Sequence, residues 1–324
     1  DKTMRLDKYL KVSRLIKRRT VANEVADAGR ILINGKIAKA SQAVKAGDII
    51  EVTFGNRPIK VKVLSDEEPR TKDVARDMVF AANQAGCGFL GRPLVEATGS
   101  LRNFRTQAQI GGTDEVTAFH AAVAELLSRL NGWEKPAPLR HVLALHASQR
   151  TTSNTLALWE LVKAGLPSDL GVQEICLRNG TMADCNGCSY TACLHFGEQG
   201  GCFYGGPMVD EVYPAVRKCD ALVMLCANYN DALAANLTAC VNRLTALFRQ
   251  TRMYDKRLFG LIVSGYSGGD LLARQLISAL NMNKSFYLPP RFSLLETANE
   301  RGSLVKLPGI EAQAAAFARH IAES

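Results

Sequence analysis

The 324-residue sequence is 47% hydrophobic and 22% charged, with room for two domains and enough apolar material for a sizeable core. No apolar run approaches the roughly 20 residues that cross a bilayer, and no signal-peptide pattern opens the chain; a soluble cytoplasmic protein with no membrane partner is expected, whose nine cysteines read as thiols or metal ligands rather than a disulfide framework. The net charge of +9 is unevenly placed: residues 1–64 hold 15 Lys and Arg against 6 Asp and Glu, and the rest of the chain carries 25 of each.

The first fifth of the chain is therefore a basic module joined to a neutral body. From Met4 the pattern reads helix, helix, then short strands. Leu6 and Leu10 form an apolar stripe, with Arg5, Lys8 and Lys11 on the other side. A second helix is expected over Lys17–Ala28, with Val21, Val25 and Ala28 facing inward and Lys17, Arg18 and Arg19 crowding its first turn. Cations at a helix N-terminus cost that helix roughly 0.3–1 kcal/mol, so their presence there marks a functional surface rather than a stability device. Gly29 suits the residue just past a helix. Ile31–Ile33 leads into Asn34-Gly35, the preferred two-residue hairpin turn, and strands are expected over Asp48–Phe54 and Ile59–Leu64.

The run RLDKYLKVSRLIKRRTVANEVADAGRILINGKIAKAS, followed by KAGDIIEV, resembles the alpha-L RNA-binding domain first described in ribosomal small-subunit protein four, over residues 4–64. It looks like the small bacterial single-domain members that bind the large ribosomal subunit in rescue of stalled nascent chains. The resemblance implies that Arg5, Lys8, Lys11, Arg14, Lys17, Arg18, Arg19, Arg30 and Lys36 line an RNA backbone. It also implies a structured RNA, ribosomal RNA or tRNA, as partner. The clustered charge agrees independently, because phosphate contacts give salt-dependent affinity and read shape rather than base identity.

Ser65–Lys72 (SDEEPRTK) is charged, contains Pro and lacks periodicity, as a linker does. Thr113 is expected to cap a helix running to about Leu130, with Val116, Phe119, Val123, Leu126, Leu127 and Leu130 at helical spacing. Cys87, between Gly86 and Gly88, reads as a small buried hydrophobe, with a reactive thiol as the alternative. Asn131–Pro138 is a second break. Residues 69–139 are taken together as a linker and a helical arm whose role the sequence does not define.

Val142–Leu145 is an apolar run of strand length. Hydroxyl and amide residues follow from Ser148 to Asn154, then a helical pattern with Leu156, Trp159, Leu161 and Val162 on one face. Strand, polar loop and helix N-terminus make an anion site, since the helix's free N–H groups and positive dipole end face the loop. Four more apolar runs, Val172–Leu177, Ala221–Cys226, Leu258–Ser264 and Phe286–Leu288, alternate with helical patterns near 155–165, 208–218, 234–250, 269–281 and 310–322. Such alternation calls for a parallel sheet covered on both faces. Five strands suit the flavodoxin-like order, whose ligand lies at the strands' carboxyl ends. There Ala227-Asn228-Tyr229-Asn230 follows the third strand, and Ser264-Gly265-Tyr266-Ser267-Gly268-Gly269 the fourth.

With the Ser148–Thr155 loop, these residues resemble the NAD(P)H-dependent FMN reductases over residues 140–324. The resemblance implies FMN, its phosphate at Ser148, Arg150, Ser153, Asn154 and Thr155. Its ring would meet Ala227, Asn228, Tyr229, Asn230, Ser264, Gly265, Tyr266 and Gly268, with the two tyrosines flanking it. NAD(P)H as co-substrate, an undefined electron acceptor and a homodimer through this domain are implied as well. Asn228-Tyr229-Asn230 departs from the Pro-Val-Tyr-Phe-like run of many members. No acid or base is named, because the cofactor carries the chemistry.

The long connection over 179–207 holds Cys185, Cys188, Cys193 and Cys202, spaced C-x2-C-x4-C-x8-C, and looks like the iron–sulfur flavoproteins, a branch of the same reductases. Three readings stay open: an iron–sulfur cluster presented beside the flavin, a tetrahedral zinc with His195 as a substitute ligand, or no metal. Cys176, Cys219, Cys226 and Cys240 are expected in the core. The expected protein is thus α/β: a flavodoxin-like five-stranded parallel sheet (140–324), preceded by a small α+β RNA-binding domain (1–68) and the arm (69–139). Its expected activity is that of an NAD(P)H-dependent FMN oxidoreductase joined to an RNA-binding module. The alternative is an RNA-associated factor whose flavin domain senses redox state or acts as a scaffold without turnover.

Overall fold

The computed structural model describes residues 4–13, 15–16, 19–54, 57–63, 72–149, 151–177 and 182–324, without the side chains of Lys11, Val12, Phe54, Arg57, Pro58, Lys72 and Asp73. The chain divides into two units, Asp1–Ala75 and Arg76–Ser324.

In the first unit the elements run β1 (Met4–Arg5), α1 (Leu6–Val12), α2 (Arg19–Asp27), β2 (Ile31–Ile33), β3 (Lys36–Ile37), β4 (Ala43–Val44), β5 (Ile49–Phe54) and β6 (Arg57–Lys62). An antiparallel sheet of order β3-β2-β5-β6 and a β1–β4 pair enclose a core of Leu6, Leu10, Ile31, Ile50 and Val52, all fully buried. Asn34 and Gly35 both take positive φ (51° and 77°), the backbone a two-residue hairpin needs to follow the strand twist. Helix α2 is rotated by one position from the expected face: Ala22 and Ala26 are buried and Val25 half-buried, while Val21 and Ala28 are exposed. The two alanines let α2 lie against α1, and the larger valines are left at the rim.

The second unit contains α3 (Lys72–Gln84), whose first turn straddles the boundary, then α4 (Arg105–Gly111), α5 (Glu115–Asn131), β7 (His141–His146), α6 (Asn154–Ala164), β8 (Gly171–Cys176), α7 (Tyr190–Glu198), α8 (Tyr213–Lys218), β9 (Ala221–Ala227), α9 (Ala235–Gln250), β10 (Arg257–Ser264), α10 (Gly269–Leu276), β11 (Ser293–Thr297) and α11 (Ile310–Glu323). The sheet order is β11-β10-β9-β7-β8 with every pair parallel, which is the flavodoxin-like order 2-1-3-4-5. Alternate strand residues feed opposite layers: Leu143, Leu145, Leu222, Met224, Leu258 and Ile262 face one side, and Val142, Ala144, Val223, Leu225, Phe259 and Leu261 the other. That explains why the central strands read as unbroken apolar runs.

The fifth strand is not where the hydrophobicity peaks. Phe286–Leu288 makes only single bridges, Tyr287 to Arg257 and Leu288 to Phe89, and the edge strand is Ser293–Thr297. Phe286–Leu288 is apolar because the arm covers it. Buried Asn83 fixes that cover, its amide donating to Pro289 O (2.7 Å) and Cys87 O (3.0 Å) and its oxygen accepting from Phe292 N (3.1 Å). Cys87 itself is exposed rather than buried. Helix α5 starts one residue later than expected, with Asp114, not Thr113, accepting from Thr117 N at 2.9 Å. No helix among the described residues is long and apolar enough to cross a membrane.

Candidate functional site

At the carboxyl edge of the parallel sheet the loops after β7, β9, β10 and β11 enclose a cavity of about 740 Å³, within the usual range for small-molecule sites. Of the residues expected there, Ser148, Ser153, Asn154, Thr155, Ala227, Asn228, Tyr229, Asn230, Ser264, Gly265 and Tyr266 line it together. Arg150 lies outside the described residues. The side chains divide into those that face the cavity and those that build it. Ser153 caps α6, its hydroxyl oxygen accepting from Leu156 N at 3.2 Å, so the first-turn N–H groups of α6 open toward the cavity. Asn154 is a brace: its amide donates to Ala298 O (3.2 Å) and Glu300 O (2.8 Å), and its oxygen accepts from Gly302 N (3.1 Å). It ties the anion loop to the loop after β11, leaving its backbone, not its amide, for a ligand.

Asn228 and Ser264 brace the opposite wall. The Asn228 amide donates to Ser264 Oγ (2.8 Å) and Asp231 Oδ1 (3.2 Å), while its oxygen accepts from Asp231 N (2.8 Å). Asn230 and Asp231 both hold positive φ (53° and 59°) in a tight turn closed by the Tyr229–Ala232 bridge. Tyr229 and Tyr266 remain 56% and 75% exposed at the mouth. Gly268 sits just behind the wall at φ +101°, where a Cβ would overlap the Asp231 carboxylate. Gln149, Thr152 and Ser267, which lie in the expected loops without having been named as contacts, also line the cavity, as do Asp231 and Asn299, which were not anticipated. Asp231 had a signal, since consecutive Asn and Asp tolerate left-handed backbone. Asn299 had none, because its strand was misplaced.

In the first unit, the Asp7 side chain is 1% exposed and gathers two of the expected RNA-binding arginines: Arg19 Nε donates to its carboxylate at 2.9 Å and Arg5 Nη2 at 3.2 Å, alongside Lys8 N at 2.8 Å. Burial pushes the Asp7 carboxyl up, but the hydrogen bonds from Arg19 and Lys8 N and the two guanidinium charges outweigh it and hold it below the ordinary value. Arg19 at the start of α2 thus has a buried counter-ion, which offsets the misfit read from the sequence. Arg5, Arg30 and Lys36 are exposed and Lys8 half-buried. Arg14, Lys17, Arg18 and the Lys11 side chain lie outside the described residues.

The family described as NADPH-dependent FMN reductase matches residues 140–300, and the S4 domain matches residues 4–50. The chain joins an S4 domain to a domain of the NADPH-dependent FMN reductase family. Its S4 end is similar to the RQC P-site tRNA stabilizing factors of Streptococcus pneumoniae and Bacillus subtilis. Each is 57% identical over 75 residues, which is 23% of this chain and 85% and 87% of those proteins. An NADH:FMN oxidoreductase solved in its apo form is similar to 56% of this chain over 88% of its own length, at 18% identity and TM-score 0.40. The reductase family implies FMN and NAD(P)H. The residues of the cavity fit FMN, with a capped helix N-terminus for an anion, hydroxyls at Ser148 and Thr152, and two exposed tyrosines for a ring.

The cysteine loop of the reductase-family unit does not fit a metal centre. Among the described residues no three His, Cys, Asp or Glu side chains stand together as a metal set. Cys185 and Cys188 are exposed, whereas Cys193 falls on α7 and packs with Cys202 against the core. His195 bonds Gln199 and meets the Phe196 ring edge to face. Nor does the loop stay beside the cavity. Asn236 in the first turn of α9 donates to Leu177 O, Asn242 to Asp184, and Arg249 covers the Tyr190 ring. The chain therefore descends α9 by about 9 Å at Asp184 and about 20 Å at Tyr190, at 1.5 Å per residue. There an unanticipated helix, α7, packs against α9. Cys219, Cys226 and Cys240 are buried as expected, but Cys176 is exposed.

Proposed function

We propose that the chain is an NAD(P)H-dependent FMN oxidoreductase joined to a module that binds structured RNA, ribosomal RNA or tRNA. The observation that carries this is the cavity at the carboxyl edge of the 2-1-3-4-5 sheet, lined by the three loops expected to hold the cofactor. Bound FMN would supply hydride transfer from NAD(P)H and passage of electrons to an acceptor. The chain supplies the rest. The α6 N-terminus and the Ser148, Ser153 and Thr155 hydroxyls meet the phosphate, while backbone of Ala227–Asn230, Ser264 and Gly265 meets ring heteroatoms. Tyr229 and Tyr266 flank the ring, and Gly268 leaves room for the Asp231 turn. The likeness of the S4 unit to RQC P-site tRNA stabilizing factors supports RNA as partner, through Arg5, Lys8, Arg19, Arg30 and Lys36. A homodimer through the reductase-family unit belongs to the same proposal.

The test is the flavin spectrum of the purified full chain, followed by steady-state oxidation of NADH and NADPH with several acceptors. Bound FMN with turnover is expected. Bound FMN without turnover under any acceptor would make the unit a redox sensor or scaffold, and absence of flavin binding would remove the activity altogether. Binding of the full chain to ribosomal RNA should weaken steeply with salt.

A further inference from the structure

His146, the last residue of β7, is 1% exposed and belongs to none of the groups above. Its Nδ1 accepts the Ser148 N–H at 3.3 Å, and its Nε2 lies 3.2 Å from Glu174 Oε1 on β8. Glu174 Oε2 accepts Trp159 Nε1–H at 3.0 Å and lies 3.8 Å from Lys163 Nζ, both on α6; Lys163 also pairs with Glu160 at 2.7 Å. An accepting Nδ1 places the ring proton on Nε2, so Nε2–H donates to the carboxylate. Ser148 needs this acceptor. The β7–β8 ladder ends where Leu177 N meets His146 O, and Ser148 is 7% exposed, so its N–H would otherwise be a buried donor without a partner. One chain of bonds thus runs from the first residue of the anion loop through the imidazole to β8 and α6.

We propose that His146 is a positioning residue for the flavin phosphate: its Nδ1, held by Glu174, sets where Ser148 starts the loop over the α6 N-terminus. This rests on the cavity being an FMN site. Two substitutions separate the ring nitrogens. His146→Asn keeps an acceptor where Nδ1 stands and abandons Glu174; His146→Gln reaches Glu174 and abandons Ser148. Titrating the full chain with FMN and with riboflavin by flavin fluorescence gives the readout. His146→Asn should bind FMN within about threefold of wild type and His146→Gln about tenfold more weakly, which is 1.4 kcal/mol. Riboflavin, which lacks the phosphate, should bind all three alike, a result that a general packing defect would not give. If His146→Gln does not fold, His146→Leu, which fills the same space with no acceptor for Ser148 N, should show the same phosphate-specific loss. Failure of wild type to bind FMN would remove the flavin site itself. Wild-type binding with unchanged FMN affinity in the variants, or a parallel loss for riboflavin, would show that His146 has no such role.

Discussion

Replacing Gly268 by alanine puts a methyl group where the wall of the cavity has no space for one. The residue holds φ +101° and ψ 0°, and holding a non-glycine residue in left-handed backbone costs roughly 1–2 kcal/mol. Its Cβ would overlap the Asp231 carboxylate and lie 3.4 Å from Asn228 Nδ2. Asp231 cannot rotate away without breaking the 3.2 Å bond from Asn228, the residue that also steadies Ser264. Overpacking of this kind adds about 1–3 kcal/mol. A loss of roughly 2–5 kcal/mol in unfolding free energy follows, with FMN affinity falling by more than about tenfold because the displaced turn carries Tyr229 and Asn230. Urea unfolding read by flavin release reports on this unit alone. Asp231→Ala in the same chain should recover the overlap part and leave the backbone part, a coupling that a double-mutant cycle measures. Stability within about 0.5 kcal/mol of wild type for Gly268→Ala, or additive effects of the two changes, would refute the packing of Asp231 on Gly268.

Asp7→Asn removes the buried carboxylate shared by Arg5 and Arg19 and should weaken RNA binding by the full chain about tenfold, measured by filter binding across salt concentrations. Because the Asp7 carboxyl is held below its ordinary 3.8, the stability it confers is present above pH 3.8 and lost as pH falls through the folded value; wild type and variant should therefore converge in acid unfolding. Asn154→Ala deletes the brace to Ala298, Glu300 and Gly302, costing about 2–3 kcal/mol and raising hydrogen exchange across that loop. A thiol reagent at pH 8 should label exposed Cys87, Cys176, Cys185 and Cys188. Cys219 and Cys240, whose thiols burial pushes up to about 12, should stay unlabelled by mass spectrometry until the protein unfolds.

The central strands β7, β9 and β10 are legible from hydrophobicity because a strand buried on both faces is apolar throughout, whereas β8, at one edge, is mostly exposed and shows only as the short run Val172–Leu177. The fifth strand is not legible. As an edge strand Ser293–Thr297 is only partly buried, and Phe286–Leu288, capped by the arm, mimics it. That displacement hid Asn299 and the fourth loop of the cavity. The anion loop was legible as a set but not by role: nothing in SQRTTSNT distinguishes Ser153, which caps the helix, from Asn154, which turns away to brace a loop 144 residues on. Residue spacing placed four cysteines in one set, yet α7, whose Ser189 cap and short length leave a weak pattern, splits them between surface and core.

The pattern of strand pairing has a consequence for how the molecule forms. Among the described residues every ladder of the first unit closes within residues 4–62, and two of its four antiparallel pairings are hairpins between adjacent strands. In the second unit β7 cannot meet its partner β9 until residue 221 exists, and the loop after β11 that closes the cavity arrives later still. On a ribosome adding about 5–20 residues per second, the basic surface built on Asp7 is complete many seconds before the parallel sheet can close. Non-local pairing also makes the later unit the slower to fold.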